Sequence, residues 1–113
     1  MKLVKVAQNP SVPTPDHTGA SAQEIAGPLA GAMTCIVKLG VFEPGGESIF
    51  HIHKRSEQIL YVLEGELTFM DGKKNKLTAG PGQALFIPIG EEHAAFNFGK
   101  QKAVYVAVTA PPE

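Results

Sequence analysis

Glycine and proline divide this chain into short apolar runs, none of which has the length or the pattern of a typical helix. Twelve glycines and nine prolines occur in 113 residues. The runs between them are rich in β-branched residues, and none keeps a 3.6-residue apolar period over about ten positions. Short strands separated by frequent turns are typical of a β-sandwich or a β-barrel. We therefore expect an all-β chain with little helix.

The predicted strands fall into one domain, because a chain of this length can form a single core and no more. They cover residues 33–43, 49–53, 58–63, 67–70, 76–78, 84–87, 93–98 and 102–109, with a turn at 44–46. Residues 1–31 are expected to form a Pro/Gly-rich N-terminal arm with short edge strands, and residues 32–110 a single barrel. In the first barrel strand Cys35 shares a face with Val37 and Leu39, which predicts a small core residue.

Charge and composition exclude several classes of function. A net charge of -1 gives no electrostatic case for binding nucleic acid or an anionic membrane. Cys35 is the only cysteine, so no intrachain disulfide can form. No apolar run approaches the ~20 residues of a membrane span, and lysines interrupt the N-terminus before a signal sequence develops. The sequence therefore predicts a cytoplasmic protein.

Two histidines, His51 and His53, stand two residues apart. On an extended strand this spacing directs both imidazoles to the same side, with Cα atoms roughly 6.5 to 7 Å apart. On a helix the two rings would diverge. Because a divalent ion binds histidine nitrogens at about 2 Å, two rings on one strand face can converge on it. The pair therefore indicates a metal site on a strand.

Two motifs, the first of which includes this pair, resemble those of the cupin superfamily, whose members are small jelly-roll barrels. The residues at the positions of the first motif are Gly45, His51, His53 and Gly65. The second motif is matched at every fixed position, by Gly82, Pro88, Gly90, His93 and Asn97. The resemblance implies a double-stranded β-helix, or jelly-roll barrel, with an extended N-terminal arm. It also adds His93 to the histidine pair as a metal ligand.

One position departs from the first motif. Cupins usually have a glutamate seven residues before the closing glycine, and here that position holds Gln58, next to Glu57. Alternation along the strand does not decide which side chain enters the barrel, because both strand faces are largely apolar. The spacing favours Gln58, and some metal-binding cupins have glutamine there. The ligand set that the resemblance implies is His51, His53, Gln58 and His93. Glu57 remains the alternative fourth ligand and a weak candidate for a general base.

Three neutral imidazoles and one amide carbonyl would leave the charge of a divalent ion uncompensated. Such an ion is a strong Lewis acid and favours anionic ligands. Ligand chemistry does not choose among the transition metals, so we expect one divalent ion of Zn, Ni, Mn, Fe or Cu. The alternative is a metal-free barrel in which the histidines hydrogen-bond to one another.

The sequence leaves two classes of function open. The first is a metal-dependent enzyme that acts on a small carbonyl-, enol- or carboxylate-bearing substrate, by Lewis-acid isomerisation or cyclisation or by dioxygenation. Gln58 slightly favours the Lewis-acid reactions, since cupin dioxygenases are expected to use a carboxylate at that position. The second is a non-catalytic module that binds a sugar or an organic acid with the help of the metal.

Three further expectations concern single elements. The apolar strand with Val104, Val106 and Val108 and the proline-rich arm leave edges that a second copy could cover, so we expect a homodimer. His17 could close over the mouth of the barrel, but we expect it to be an exposed residue of the arm. Asn97 is expected to stabilise a turn or satisfy buried backbone groups.

Overall fold

The computed structural model describes all 113 residues, from Met1 to Glu113. Strands take up 53% of the chain and helices 5%, so the all-β prediction is confirmed. The strands are β1 (Ser11–Pro13), β2 (His17–Ala26), β3 (Ile36–Ser48), β4 (Glu57–Glu64), β5 (Leu67–Asp71), β6 (Lys76–Ala79), β7 (Ala84–Ile87), β8 (His93–Phe96) and β9 (Ala103–Ala110). The helical segments are two short 3-10 turns, Val6–Gln8 and Pro28–Ala30, and neither could cross a bilayer.

The strands form one sheet that curls into a nearly closed barrel. In order of pairing the sheet runs β6, β5, β8, β3, β9, β4, β7, and β2 pairs with both β1 and β3. Strand β3 joins the two halves of the barrel, since its first part pairs with β9 as far as Phe42, whereas Glu47 pairs with Phe96 of β8. The jelly-roll prediction is thereby confirmed.

Strand β3 does not end at the predicted turn, and that prediction is wrong. The strand continues through residues 44–46 to Ser48 and bends there instead of reversing. Gly45 has a φ of 81°, a left-handed conformation that glycine adopts without strain. Its amide donates to the carbonyl of Asn97, and the amide of Asn97 donates to the carbonyl of Gly46, each at 2.9 Å. The bend transfers β3 from one half of the barrel to the other.

The inner face of β3 is also the opposite of the predicted one. Gly40 and Phe42 are buried on the inside, whereas Val37 and Leu39 face outward and are only half-buried. Cys35 lies half-buried before the strand begins, so its assignment to the core is wrong. Since the outer face of β3 carries more apolar residues than the inner one, apolar alternation selects the wrong face.

The segment before the barrel pairs more extensively with it than short edge strands would. Strand β2 pairs with β3 from His17 to Ala26, with two irregularities in register, and β1 pairs with β2. The Gln23 side-chain amide donates to the carbonyls of Val6 at 2.8 Å and Asn9 at 2.9 Å. These bonds hold the N-terminal residues against β2. The division of the chain at residue 31 stays a prediction.

The core occupies part of the barrel interior and leaves a cavity beside it. Its residues are Phe42, Leu60, Leu67, Phe69, Ile87, Ala95, Ala103, Tyr105 and Ala107. Burial of a side chain such as Phe42, 2% exposed, contributes about 1.5–3 kcal/mol. Because three of the nine core residues are alanines, the inward side chains of β8 and β9 do not fill the space between the sheets.

Candidate metal centre

The two histidine-bearing segments meet at one point of the backbone. His51 lies in the connection between β3 and β4, and His93 is the first residue of β8. Each amide donates to the carbonyl of the other residue at 3.0 Å, which makes an isolated antiparallel bridge. The strand predicted over residues 49–53 is therefore reduced to this bridge. Even so, the backbone at His51 is held in the extended form that the histidine spacing requires.

The bridge brings the rings of His51, His53 and His93, here called the histidine cluster, together. The ring centroids of His51 and His93 are 4.3 Å apart, those of His51 and His53 5.1 Å, and those of His53 and His93 5.3 Å. One ring nitrogen from each histidine lies within 4.8 Å of the other two. Three residues that the sequence places up to forty-two positions apart thus present nitrogens to one volume.

Backbone hydrogen bonds leave the second ring nitrogen of two of these residues free. The Nδ1 atom of His51 lies 2.8 Å from the carbonyl oxygen of Ile49, and that of His93 lies 2.9 Å from the carbonyl oxygen of Glu91. A neutral imidazole that donates through Nδ1 has its lone pair on Nε2. This is the usual arrangement of a metal-binding histidine, whose remote nitrogen is oriented by a backbone or carboxylate oxygen.

His53 supplies the observation that tests the fit of a metal. Its Nε2 atom is buried and has no hydrogen-bond partner in the chain. A buried polar atom without a partner costs free energy unless a ligand, an ion or water satisfies it. Three neutral imidazoles that point at a shared volume, one with an unsatisfied nitrogen, fit a divalent transition metal ion.

Burial keeps His53 and His93 in the neutral form that a metal needs. The pKa of His93 is lowered to about 4, mainly by desolvation; the Glu91 carbonyl opposes this shift, and the nearby His51 and His53 add to it. Desolvation also lowers the pKa of His53, with a contribution from His51. At neutral pH both rings therefore carry a free lone pair.

Gln58 and Glu57 lie on opposite sides of β4. Gln58 lines the cavity, and its side-chain amide nitrogen donates to Thr109 Oγ1 at 3.1 Å. This bond leaves the amide oxygen of Gln58 as an acceptor. Glu57 is exposed and does not line the cavity. The orientation of the strand thus favours Gln58 as the fourth ligand, and ligation by Gln58 stays a prediction.

His17 lies at the cavity, where sequence reasoning had favoured an exposed position in the arm. It is half-buried, its ring centroid is 5.9 Å from that of His51 and 5.5 Å from that of Phe42, and its Nδ1 atom lies 2.6 Å from the carbonyl oxygen of Pro15. Burial is the main cause that lowers its pKa. The expectation of an exposed arm residue is wrong because β2 pairs with β3 at His17 and Ser48, next to the cluster. No spacing signal connects His17 to the motifs.

All four histidines of the chain therefore line one cavity of about 360 Å³. Its mouth carries Asp16, Ile52 and Glu113, and its walls carry apolar and small residues. The wall residues are Ala22, Phe42, Leu60, Phe69, Ala95, Tyr105 and Ala107. A volume of this size suits a compact organic molecule.

Asn97 has the structural role that the sequence indicates. It is 1% exposed, and its amide nitrogen donates to the carbonyls of Phe42 and Gln101, each at 3.0 Å. Its side-chain oxygen accepts from the amide of Gly99 at 2.9 Å. These bonds stabilise the turn after β8 and tie it to the bend of β3.

Comparison with known proteins agrees with this geometry. The polyketide cyclase RemF from Streptomyces resistomycificus superposes with a TM-score of 0.85 at 25% identity, over 99% of this chain and 80% of that one. The polyketide synthase CurC of Streptomyces cyaneus is 35% identical over 82 residues, 72% of this chain and 52% of that protein. Oxalate oxidase GF-2.8 of Triticum aestivum is 31% identical over 113 residues, 90% of this chain and 49% of that protein.

The chain spans about half the length of these two curated relatives. The family model described as the cupin domain matches residues 38–109. This range contains the whole histidine cluster, the bend of β3, strands β4 to β8 and all of β9 except its last residue. The jelly-roll barrel, the histidine cluster inside it and the match of the family model together show that this chain belongs to the cupin family.

Proposed function

We propose that this chain is a metal-dependent cupin enzyme that isomerises or cyclises a small substrate bearing a carbonyl, enol or carboxylate group. The observation that carries the proposal is the histidine cluster, whose nitrogens converge beside an open cavity of about 360 Å³. The ligands would be His51, His53, His93 and Gln58, around one divalent ion of Zn, Ni, Mn, Fe or Cu. A bound ion would supply Lewis acidity that polarises a carbonyl oxygen.

The protein itself supplies orientation and exclusion of water. The carbonyls of Ile49 and Glu91 fix the rings of His51 and His93, so that no ring has to turn when a ligand enters. The apolar wall around the cluster lowers the local dielectric, which strengthens the attraction between a cationic site and an enolate oxygen. All four proposed ligands are neutral, and the site therefore favours an anionic substrate.

The choice of Lewis-acid chemistry over dioxygenation rests on Gln58 and on the relatives. An amide at this position cannot take a proton from the substrate, whereas a carboxylate could. RemF and CurC are named for polyketide chemistry. Oxalate oxidase GF-2.8, similar over 90% of this chain, supports oxidation as a second candidate reaction.

A non-catalytic binding module is the alternative class, and one observation favours it. The carboxylates on the cavity are Asp16 and Glu113, both at its mouth. The Glu113 carboxylate accepts from the amides of Lys54 and Arg55 at 3.0 and 3.3 Å. Glu113 is therefore engaged by backbone amides, and Asp16, next to His17, is the only other carboxylate on the cavity.

One experiment separates these classes. Protein loaded with Zn, Ni, Mn or Fe is assayed for metal by mass spectrometry and mixed with β-diketones and keto acids in D2O, with His51→Ala as the matched control. We expect about one ion per chain. NMR should show exchange of the acidic carbon-bound protons of the substrate, and His51→Ala should abolish this exchange. Oxygen uptake would instead support oxidation, and binding without exchange would support the module. Metal content below about 0.1 ion per chain would overturn all three.

We also propose that the chain forms a homodimer, through the outer face of β9 and its neighbours and not through a sheet edge as expected from the sequence. Strand β9 lies between β3 and β4 and is not an edge. Its valines face outward next to Ile59 and Tyr61, each 45% exposed, and Phe86, 55% exposed. A second copy covering this apolar face would bury it. Light scattering should give twice the chain mass of 12.0 kDa, and Ile59→Lys should restore the single mass. A cytoplasmic location remains a prediction.

A further inference from the structure

The inner face of β3 carries a charged residue where a core residue is expected. Lys38 lies on the same face of β3 as Gly40 and Phe42, which are buried inside the barrel, and it lines the cavity. Its direct neighbours across the sheet are Ala107 on β9 and Glu24 on β2. A lysine on the inside of a small barrel loses hydration without gaining core packing, so its position calls for a partner.

The chain itself does not supply this partner. No carboxylate oxygen lies within 4.0 Å of the Lys38 ammonium nitrogen. Glu24 is directed away, since its Oε2 atom accepts from the amide of Leu29 at 2.9 Å, and it does not line the cavity. The cation therefore faces a cavity whose carboxylates, Asp16 and Glu113, both belong to the mouth.

The hydroxyl of Tyr105 lies on the same wall. A Cβ atom added at Gly40 would be 2.1 Å from Tyr105 Cζ and 2.4 Å from its hydroxyl oxygen. Only glycine at position 40 leaves room for this ring, which crosses from β9 over β3. Ala22, the partner of Gly40 on β2, has a small side chain and also lines the cavity. Lys38 is two residues from Gly40, or roughly 7 Å along the strand.

Tyr105 acts as a donor from this position. Desolvation alone raises its pKa to about 12, with no contribution from a hydrogen bond, so the phenol stays protonated at neutral pH. A neutral hydroxyl and an ammonium that line the same partly apolar cavity are two hydrogen-bond donors that an anionic oxygen would satisfy.

Sheet pairing fixes the separation of Lys38 from Gln58 along the cavity wall. Thr109 pairs with both Gln58 and Ile36, and Ala107 pairs with both Leu60 and Lys38. Lys38 is therefore two strands away from Gln58 and two residues further along the strand direction, on the same sheet face. Strand spacing and rise give about 12 Å between the two Cα atoms. A separation of this size leaves room for a substrate of a few carbon atoms between the two positions.

We propose that Lys38 and the Tyr105 hydroxyl form a second subsite, which binds an anionic oxygen of the substrate. The position of the substrate's other end at the histidine cluster rests on the proposed function. The pair then restricts the substrate to compact molecules with two acidic oxygen groups separated by a few carbons, such as dicarboxylates, keto acids and short poly-β-ketones. Lys38 and Tyr105 are specificity-determining residues of this site.

The test compares acids that differ only in their second charged group. Zinc-loaded protein is titrated calorimetrically with dicarboxylates from malonate to adipate and with monocarboxylates of the same lengths. The variants are Lys38→Met and Tyr105→Phe, with Lys100→Met as a surface control. We expect at least one dicarboxylate to bind about tenfold or more tightly than its monocarboxylate. Lys38→Met should remove this preference, Tyr105→Phe should weaken it about threefold to tenfold, and Lys100→Met should leave it unchanged.

Two outcomes would overturn the subsite. One is that Lys38→Met weakens the binding of dicarboxylates and of monocarboxylates equally, or changes the binding of neither. The other is that Glu24→Gln lowers the melting temperature as much as Lys38→Met does while affinities stay constant, which would assign Lys38 to an ion pair with Glu24. Zinc content of each sample is measured in parallel. If wild-type protein holds no zinc, the proposed function alone is refuted. The binding of monocarboxylates to the metal-free chain, compared between wild type and Lys38→Met, still tests the role of Lys38.

Discussion

The two segments that bring histidines to the cavity are held in place by different means. His93 is 5% exposed and begins β8, which pairs along its length with β5. His51 and His53 lie in the connection between β3 and β4, where the only regular pairing is the bridge from His51 to His93. One half of the histidine cluster is therefore part of the sheet, and the other half is a loop docked onto it.

Separate tethers fix the loop. The carbonyl of His53 accepts from the amide of Gly90 at 2.9 Å, and the amide of Ile49 donates to the carbonyl of Asp16 at 3.1 Å. The Glu113 carboxylate accepts from the two amides that follow His53. Such contacts can open locally without unfolding the barrel, whereas β8 cannot leave without exposing the core. A metal ion would thus link a rigid half to a half that is able to open.

The largest effect should separate the two halves directly. His93→Ala and His51→Ala should each reduce metal content from about one ion per chain to under about 0.1. In the metal-free protein, however, His93→Ala should lower the free energy of unfolding by about 1–3 kcal/mol, because it leaves a buried gap, and His51→Ala by less than about 1 kcal/mol. Urea denaturation of both variants measures this, and equal losses would contradict the comparison.

A charge change next to the cluster should have the second largest effect. Gln58→Glu adds one negative charge on the cavity side of β4 and should tighten zinc binding about tenfold or more. Glu57→Gln, on the exposed side, should change affinity by less than about twofold. Competition with a chromophoric chelator gives both affinities. A comparable change in Glu57→Gln would show that the wrong residue has been assigned to the cavity.

The stability of the metal-free protein should depend on pH because His93, in the half of the cluster that belongs to the sheet, is buried. The pKa of His93 is about 4 in the folded chain against an ordinary 6.5, so the unfolded chain binds more protons between these values. Stability should therefore fall as the pH drops from 6.5 towards 4, and this contribution should change no further below 4. The lowered pKa values of His53 and His17 act in the same direction. Urea midpoints of wild type and His93→Gln measure it, and the variant should show the flatter profile.

The smallest effect should come from a single tether. Glu113→Gln keeps the shape of the side chain but removes the charge that the amides of Lys54 and Arg55 share. We expect zinc affinity to fall about threefold and amide exchange at residues 54 and 55 to accelerate several-fold, with exchange in β8 unchanged. Glu66→Gln, far from the loop, is the control. Faster exchange in β8 as well would mean that the halves do not open separately.

Strand positions could be predicted wherever turn residues bound a short apolar run. Strands β4, β5, β7 and β9 begin and end within about two residues of the prediction, because glycine and proline restrict where a chain turns. The bend of β3 was not predictable, since Pro44, Gly45 and Gly46 are equally suited to a turn and to a bend. Pairing with β8 on one side decides between them.

The candidate site divides in the same way. The spacing of His51 and His53 and the motif around His93 predicted the three residues that converge. His17, Lys38 and Tyr105 were not predicted, because each reaches the cavity through a strand pairing: β2 with β3, β3 with β9 and the crossing over Gly40. Such neighbours are set by register, and a register shift of one residue would turn each of them outward.

What the sequence determined by itself is therefore local: an all-β chain, the limits of most strands, and a histidine pair at a spacing that suits one metal ion, to which the cupin resemblance added a third histidine. Backbone preferences and short-range spacing act over a few residues, so they can be read from the order of amino acids. Tertiary structure alone decided which face of β3 is inside, that a fourth histidine borders the cavity, and that a lysine and a phenol share its wall. These depend on contacts between strands distant in the chain, where packing and register select among faces of similar hydrophobicity.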